Sequence, residues 1–144
     1  MSLFQIFSVG ASGLAAQRMR AEIIAENLAN ADTTRTPEGG PYRRKDAIFE
    51  TQNVSSPFSS VLVSELHESN GVSVREIQVD DREAPKRYAP GHPDADADGY
   101  VAVPRVNPAE DMVDLMSAAR GYQANIAAVS AAKDMIHRSL DLMK

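Results

Sequence analysis

The stretch Asn107-Pro108-Ala109-Glu110-Asp111-Met112-Val113-Asp114-Leu115-Met116, continuing to Lys144, decides the architecture of this chain. Asn107 can cap a helix, Pro108 suits the first helical position because a missing N–H costs nothing there, and Glu110 stands where a capping-box acid belongs. From that start the helix can run to residue 144. In the frame Met112, Leu115, Ala119, Tyr122, Ile126, Val129, Lys133, Ile136, Leu140 and Met143, only Lys133 interrupts an apolar seam. At 1.5 Å per residue such a helix is about 50 Å long.

Working outward, residues 2–31 place Phe7, Leu14, Ala21 and Leu28 in one heptad row and Leu3, Gly10, Gln17, Ile24 and Ala31 in its companion. That pattern predicts a second amphipathic helix. It should stop where Asn30, Asp32, Thr33 and Thr34 compete for backbone hydrogen bonds, ahead of Pro37, Gly39, Gly40 and Pro41. Between the helices, Val61 to Leu66 and Val72 to Val79 alternate as strands do, with Ser69-Asn70-Gly71 as the turn of a hairpin. Residues 83–104 hold Pro85, Pro90, Gly91, Pro93, Gly99 and Pro104, so neither helix nor central strand persists there and an extended arm or ordered loop is expected. The fold class is therefore mainly α with a small β insertion: terminal helices forming a coiled coil, with a central β-hairpin and extended loop. The expected divisions are 1–31, 32–107 and 108–144.

Composition narrows the function. A chain of 144 residues makes one modest unit, and 43% hydrophobic with 24% charged residues is ordinary for a globular protein. Aromatic residues are only 6% and Trp is absent, which suits closely packed helices rich in Ala and Met. A net charge of −5 repels phosphate backbones, and Arg43-Arg44-Lys45 is too short a basic cluster to outweigh it, so nucleic acid is not an expected partner. With no cysteine there is neither a disulfide nor a thiolate metal site. The apolar run from Leu3 to Ala16 is followed, not preceded, by Arg18 and Arg20, the wrong order for a cleaved signal peptide. No uninterrupted apolar stretch reaches the roughly 20 residues that a membrane span needs.

The helices read as assembly surfaces. Away from its seam the last helix carries Ala118, Ala124, Ala127, Ala128, Ala131 and Ala132 where an ordinary surface helix carries Glu and Lys, and the first carries Ala15, Ala16, Ala25 and Ala29. A lone pair of helices would leave these faces waiting for neighbours. Chain ends are ordinarily the least constrained part of a domain, yet here they hold the longest apolar patterns. A coiled-coil adaptor that binds one partner without forming a fibre is the alternative, and it would need only one contact face.

Chemistry finds little foothold. Asp94, Asp96, Asp98 and Gly99 reproduce the first half of a calcium-binding EF-hand loop, but its twelfth position is Arg105 rather than Glu, and Pro90, Pro93 and Pro104 exclude the flanking helices. A solvated acidic loop is the expectation. His67, His92 and His137 are scattered and join no metal or nucleophile pattern. Asp80-Asp81 and Glu110-Asp111 are accounted for by a turn and by a helix N-terminus. No catalytic, cofactor-binding or metal residue is expected.

One resemblance joins these readings. Ser12-Gly13-Leu14-Ala15-Ala16-Gln17-Arg18, then Glu26-Asn27-Leu28-Ala29-Asn30-Ala31-Asp32-Thr33, resembles the N-terminal signature of flagellar rod and hook proteins. Thr34-Arg35-Thr36, Gly39 to Lys45, Pro90 to Asp96 and Gly99-Tyr100-Val101 are similar to the proximal-rod members. So are Met112 to Met116, Arg120-Gly121-Tyr122-Gln123-Ala124-Asn125 and Ala131-Ala132-Lys133 near the end. The likeness spans nearly the whole chain, weakens between residues 50 and 66, and departs at Arg105, where the family pattern leads us to expect Asn. It implies a subunit exported through the flagellar type III apparatus without cleavage and packed into the periplasmic drive shaft between membrane ring and hook. The implied partners are copies of itself, the proximal-rod proteins FlgB and FlgF, the distal-rod protein FlgG and the rod-base protein FliE. The implied assembly residues are Leu14, Ala21, Ile24, Asn27, Leu28, Asn30, Leu115, Ala119, Tyr122, Asn125, Ile126, Val129, Ile136 and Leu140. Asn27 and Asn30 carry two readings, subunit contacts or a helix C-terminus exploiting the left-handed tolerance of Asn.

Overall fold

The computed structural model describes residues 3–53 and 70–142. In chain order they form helix α1 (Leu3–Ala29), strands β1 (Lys45–Asn53), β2 (Asn70–Val79), β3 (Lys86–Tyr88) and β4 (Tyr100–Ala102), and helix α2 (Pro108–Asp141). Two long helices with a small β insertion are the architecture expected from the sequence. No described helix is long and apolar enough to cross a membrane.

The start of α2 follows from its capping chemistry. Asn107 is extended, at φ −106° and ψ 102°, and its side-chain oxygen accepts the Ala109 N–H, while Pro108 occupies the first turn. Glu110 and Asp111 in that turn and Arg138 in the last place charges of the sign that each end of a helix dipole favours. The 34 residues give a rod of about 51 Å. α1 ends without any residue in the left-handed region, since no described residue other than glycine has positive φ. The Asn30 side chain instead donates to the Glu26 carbonyl at 2.9 Å, and the Thr33 hydroxyl donates to Asn30 Oδ1 at 3.2 Å. The left-handed reading of Asn27 and Asn30 is thus replaced by side-chain capping at Asn30 and, at Asn27, by a buried network.

The helices lie antiparallel: a Cβ on Gly10 would meet Val129, one on Gly13 would meet Asn125, Gln17 abuts Gly121, and Arg20 reaches Asp114. Contact is close because small residues make it. A Cβ on Gly10 would come within 2.6 Å of Val129 Cγ2, and one on Gly13 within 3.0 Å of Asn125 Nδ2. The buried or half-buried row of α2 is Asp111, Asp114, Leu115, Ala118, Gly121, Asn125, Val129, Ala132 and Ile136. This corrects the expected seam, because Ala118 and Ala132 are buried whereas their neighbours Ala119 and Lys133 are exposed, and Asn125 replaces Ile126. Glycines on α1 bring the axes together by leaving room for Val129 and Asn125 of α2.

β1 and β2 form a two-stranded antiparallel sheet with a bulge between Ile48 and Phe49, opposite the unpaired Arg75. The hairpin turn expected at Ser69-Asn70-Gly71 is corrected: Asn70 and Gly71 are inside β2, opposite Asn53 and Gln52, and the partner strand is residues 45–53. The expected strand at residues 61–66 lies outside the described residues. Gly71 is buried, and the Ser12 hydroxyl on α1 accepts the adjacent Val72 N–H at 3.1 Å while donating to the Val9 carbonyl at 2.7 Å, so one hydroxyl ties strand to helix. At the other end of the sheet Asp80 takes both the backbone and the guanidinium of Arg82, a turn of the expected kind, and this pairing holds its carboxyl well below the usual range. Residues 83–104 carry more order than a loop, because β3 and β4 pair antiparallel with Val101 buried and Tyr88 edge-on to Tyr100 at 5.3 Å. The prolines restrict these strands to three residues each.

The close approach at Gly10 is directly testable. Gly10→Leu should lower the thermal midpoint in a circular-dichroism melt, at a cost of about 1–3 kcal/mol from overpacking. Gly10→Ala combined with Val129→Ala, which removes the opposing Cγ2, should recover stability; a Gly10→Leu chain as stable as the parent would mean that the helices do not meet there.

Candidate functional site

The residues expected to mediate assembly fall into two groups. Ile24 and Asn27 are buried inside the subunit, and Leu14, Ala21, Leu28, Asn30, Leu115, Asn125, Val129 and Ile136 are half-buried. Ala119, Tyr122, Ile126 and Leu140 are exposed. The second group belongs to a larger surface, since Met112, Met116, Ile126 and Leu140 expose 52%, 54%, 46% and 55% of themselves, and Met135 exposes 62%. Met112, Met116 and Ala119 follow one another at helical spacing ahead of Ile126, while Ala124, Ala128, Ala131 and Met135 form an apolar row on another side. These residues leave apolar surface exposed along much of α2.

A polar junction sits where α1 ends, β1 begins and α2 starts. Asn27 is fully buried, and its amide reads both polar backbone groups of Lys45: Nδ2 donates to the carbonyl at 2.7 Å and Oδ1 accepts the N–H at 2.9 Å. The Tyr42 hydroxyl donates to the same Oδ1 at 2.9 Å, while Lys45 Nζ pairs with Glu26 and lies 5.9 Å from the Tyr42 ring centroid. Asparagine suits this place because it offers donor and acceptor on one short, planar group. Tyr42 is positioned by a tight reversal in which its N–H donates to Thr33, Thr36 N–H donates to Gly40, and Gly39 and Gly40 take φ of 94° and 77°.

The second half of the junction is an ion pair. Arg44 Nη1 lies 2.8 Å from Asp111 Oδ1; the Arg44 side chain is 18% exposed and that of Asp111 not at all. Asp46 flanks the guanidinium at 3.2 Å. Burial pushes the Asp111 carboxyl above the ordinary carboxylate range, against the attraction of Arg44. Burial, with Glu26 and Asp111 nearby, likewise pushes the Tyr42 phenol up to about 12. The sequence placed Asp111 only as a dipole-favoured acid and gave Arg44 no role, because a helix N-terminus and a basic tripeptide are both ordinary surface features.

The aspartates of the loop before β4 are occupied by their own surroundings. Asp96 Oδ1 accepts the N–H groups of Asp98 and Tyr100 at 3.1 and 2.8 Å, Lys86 Nζ lies 3.6 Å from Asp96 Oδ2, and Asp94 accepts the Thr34 hydroxyl at 2.8 Å. Gly99, at φ 81°, completes the turn. Arg105 Nε donates to the Glu83 carbonyl at 3.0 Å, which gives the departure from the family pattern a local bond.

Two predictions follow from the signs of these shifts. A carboxyl whose folded pKa is raised is favoured as the neutral acid, so its contribution to stability falls as pH rises through the carboxylate range. Asp111→Asn should therefore be tolerated at pH 7, within about 1 kcal/mol, whereas Arg44→Met strands a buried charge and should cost about 3 kcal/mol in denaturant unfolding. For Tyr42, stability is fully present below the unfolded value near 10 and is lost as pH climbs through about 12. Alkaline unfolding should be shallower in Tyr42→Phe; an identical alkaline profile would remove Tyr42 as its origin.

Comparison with known proteins places this architecture. A family model described as "Flagella basal body rod protein" matches residues 7–35, most of α1 and the turn after it. Another, "Flagellar basal body rod FlgEFG protein C-terminal", matches residues 97–142, β4 and α2. The flagellar basal-body rod protein FlgC of Bacillus subtilis (strain 168) is 43% identical over 152 aligned residues, spanning all of both chains. Those of Borreliella burgdorferi and Salmonella typhimurium are 38% and 40% identical and cover 100% and 99% of this chain and 99% and 98% of their own. With helices, loop signature and full-length identity in agreement, the chain belongs to the FlgC family of flagellar basal-body rod proteins and is a structural subunit of that rod.

Proposed function

We propose that this rod subunit polymerises through the outward surfaces of its terminal helices, as part of the proximal segment of a periplasmic drive shaft that carries torque from motor to hook. The observation that carries the reading is the exposed apolar surface of α2, which remains open after α1 has covered the opposite side. Burying each Ile, Leu or Met contributes roughly 1.5–3 kcal/mol, so several per subunit offset the entropy of ordering. Neighbours of matching surface would be further copies, FlgB, FlgF, FlgG and FliE, reached after export by the type III apparatus. Ala119, Tyr122, Ile126 and Leu140 would act in direct contact. Ile24 and Asn27, and the half-buried residues with them, would act by holding the subunit in shape.

The comparisons give no support to a one-to-one adaptor, and the apolar rows on two sides of α2 exceed what one partner face would need. Ile126→Asp separates assembly from folding, because the side chain is already 46% exposed in the subunit. In a flagellated strain lacking the chromosomal copy it should abolish rod completion and swimming. The purified variant should keep its helical signal and stability within about 0.5 kcal/mol. Leu28→Asp, half-buried, should block assembly and also destabilise the chain. Normal swimming with Ile126→Asp would overturn the proposed interface.

A further inference from the structure

Among the described residues, the β1–β2 sheet packs along α1 but neither strand packs against α2. What spans that gap is a side chain. Residues 42–45 are fastened in two directions within four positions. Tyr42 and Lys45 are bound to α1 through Asn27, and Arg44 between them extends to Asp111 on the first turn of α2. Tyr42 reaches Asn27 with its hydroxyl and Lys45 with its backbone, while Arg44 reaches α2 with its guanidinium. The Asn27 amide gives Lys45 the paired donor and acceptor that an adjacent strand would supply. The guanidinium supplies reach and charge to a carboxylate with no solvent exposure.

We propose that Asn27, Arg44 and Asp111 are positioning residues of a rigid three-way joint that fixes the angle between the helical hairpin and the central β segment. The chain itself passes between hairpin and central segment by loops, residues 30–44 from α1 to β1 and 103–107 from β4 to α2. Loops transmit load poorly across an angle, whereas two anchor points on different helices resist both bending and twisting. The mechanical consequence rests on the rod-subunit reading: torque entering through the helices reaches the central segment through this joint.

The joint itself is tested on the isolated full chain, so its failure is distinct from a failure of assembly, which is read by swimming. The absence of cysteine makes paired spin labels unambiguous. Labels at Ala131→Cys on α2 and Gln78→Cys on β2, both exposed sites, report the hairpin-to-sheet distance by pulsed electron paramagnetic resonance. Labels at Ala11→Cys and Ala127→Cys, also exposed, report the helix pair alone. The charge-free variant Arg44→Met/Asp111→Leu removes the bond without stranding a charge. Asn27→Asp places an acceptor against the Lys45 carbonyl. Each should broaden the hairpin-to-sheet distribution at least twofold while leaving the helix pair narrow. A hairpin-to-sheet distribution of unchanged width, or equal broadening of both pairs, would overturn the joint.

Discussion

The contact between α1 and α2 is drawn close by glycines that receive larger side chains of the other helix, and the remainder of the molecule is arranged around that constraint. Gly10, Gly13 and Gly121 face side chains at distances that would leave a Cβ crowded, and Ala118 and Ala132 are buried beside them. Glycine inside a helix costs roughly 1 kcal/mol relative to alanine, so a helix keeps it where close packing offsets the loss. Beside those small residues Leu115, Val129 and Ile136 stay half-buried and Ile23 and Ile24 are buried, while Met112, Met116, Ile126 and Leu140 are exposed. The large apolar side chains left open on α2 are what the proposed contacts with neighbouring subunits would cover.

The central segment packs along α1 and is further fastened to the hairpin by polar chemistry. Ser12 holds one end of the sheet, and the Asn27 amide and the Arg44–Asp111 pair hold the other. Such groups contribute little net stability, since each gives up hydration to form its bonds. Their value is direction. A doubly hydrogen-bonded amide tolerates little angular drift, while apolar contacts slide, and the Arg44–Asp111 ion pair adds a charged link to the second helix. The buried acid is consistent with that trade, because burial outweighs the attraction of Arg44 and raises the carboxyl's pKa. An arrangement serving stability alone would not keep a carboxylate there.

The acidic loop shows how a motif can be read correctly in composition and differently in use. Asp94, Asp96 and Asp98 have EF-hand spacing, yet Asp96 closes its own turn on the Asp98 and Tyr100 backbone and Asp94 receives the Thr34 hydroxyl from the loop after α1. Spacing records which groups are near in the chain. It does not record that a threonine some sixty positions earlier arrives to take one of the carboxylates.

Local rules were sufficient wherever the decisive neighbours are adjacent in sequence. Asn107 and Pro108 fixed the start of α2, the proline and glycine cluster fixed the end of α1 and the reversal after it, and the prolines of residues 83–104 kept the strands there short. The signature residues of both helices likewise made the family legible. What required tertiary structure was each choice between equivalent faces or distant partners. Residues 45–53 carry charged and polar side chains on a half-exposed sheet, so no clean alternation announced β1, and the partner of β2 was misassigned. On α2 apolar residues lie on more than one face, so periodicity could not say which row meets α1; the glycines of the other helix face Val129 and Asn125, and Ala118 and Ala132 are buried in the same row. Asn27, Arg44 and Asp111 meet for the same reason. Their pairing depends on where three separate elements end in space, and no pattern within any one of them encodes that.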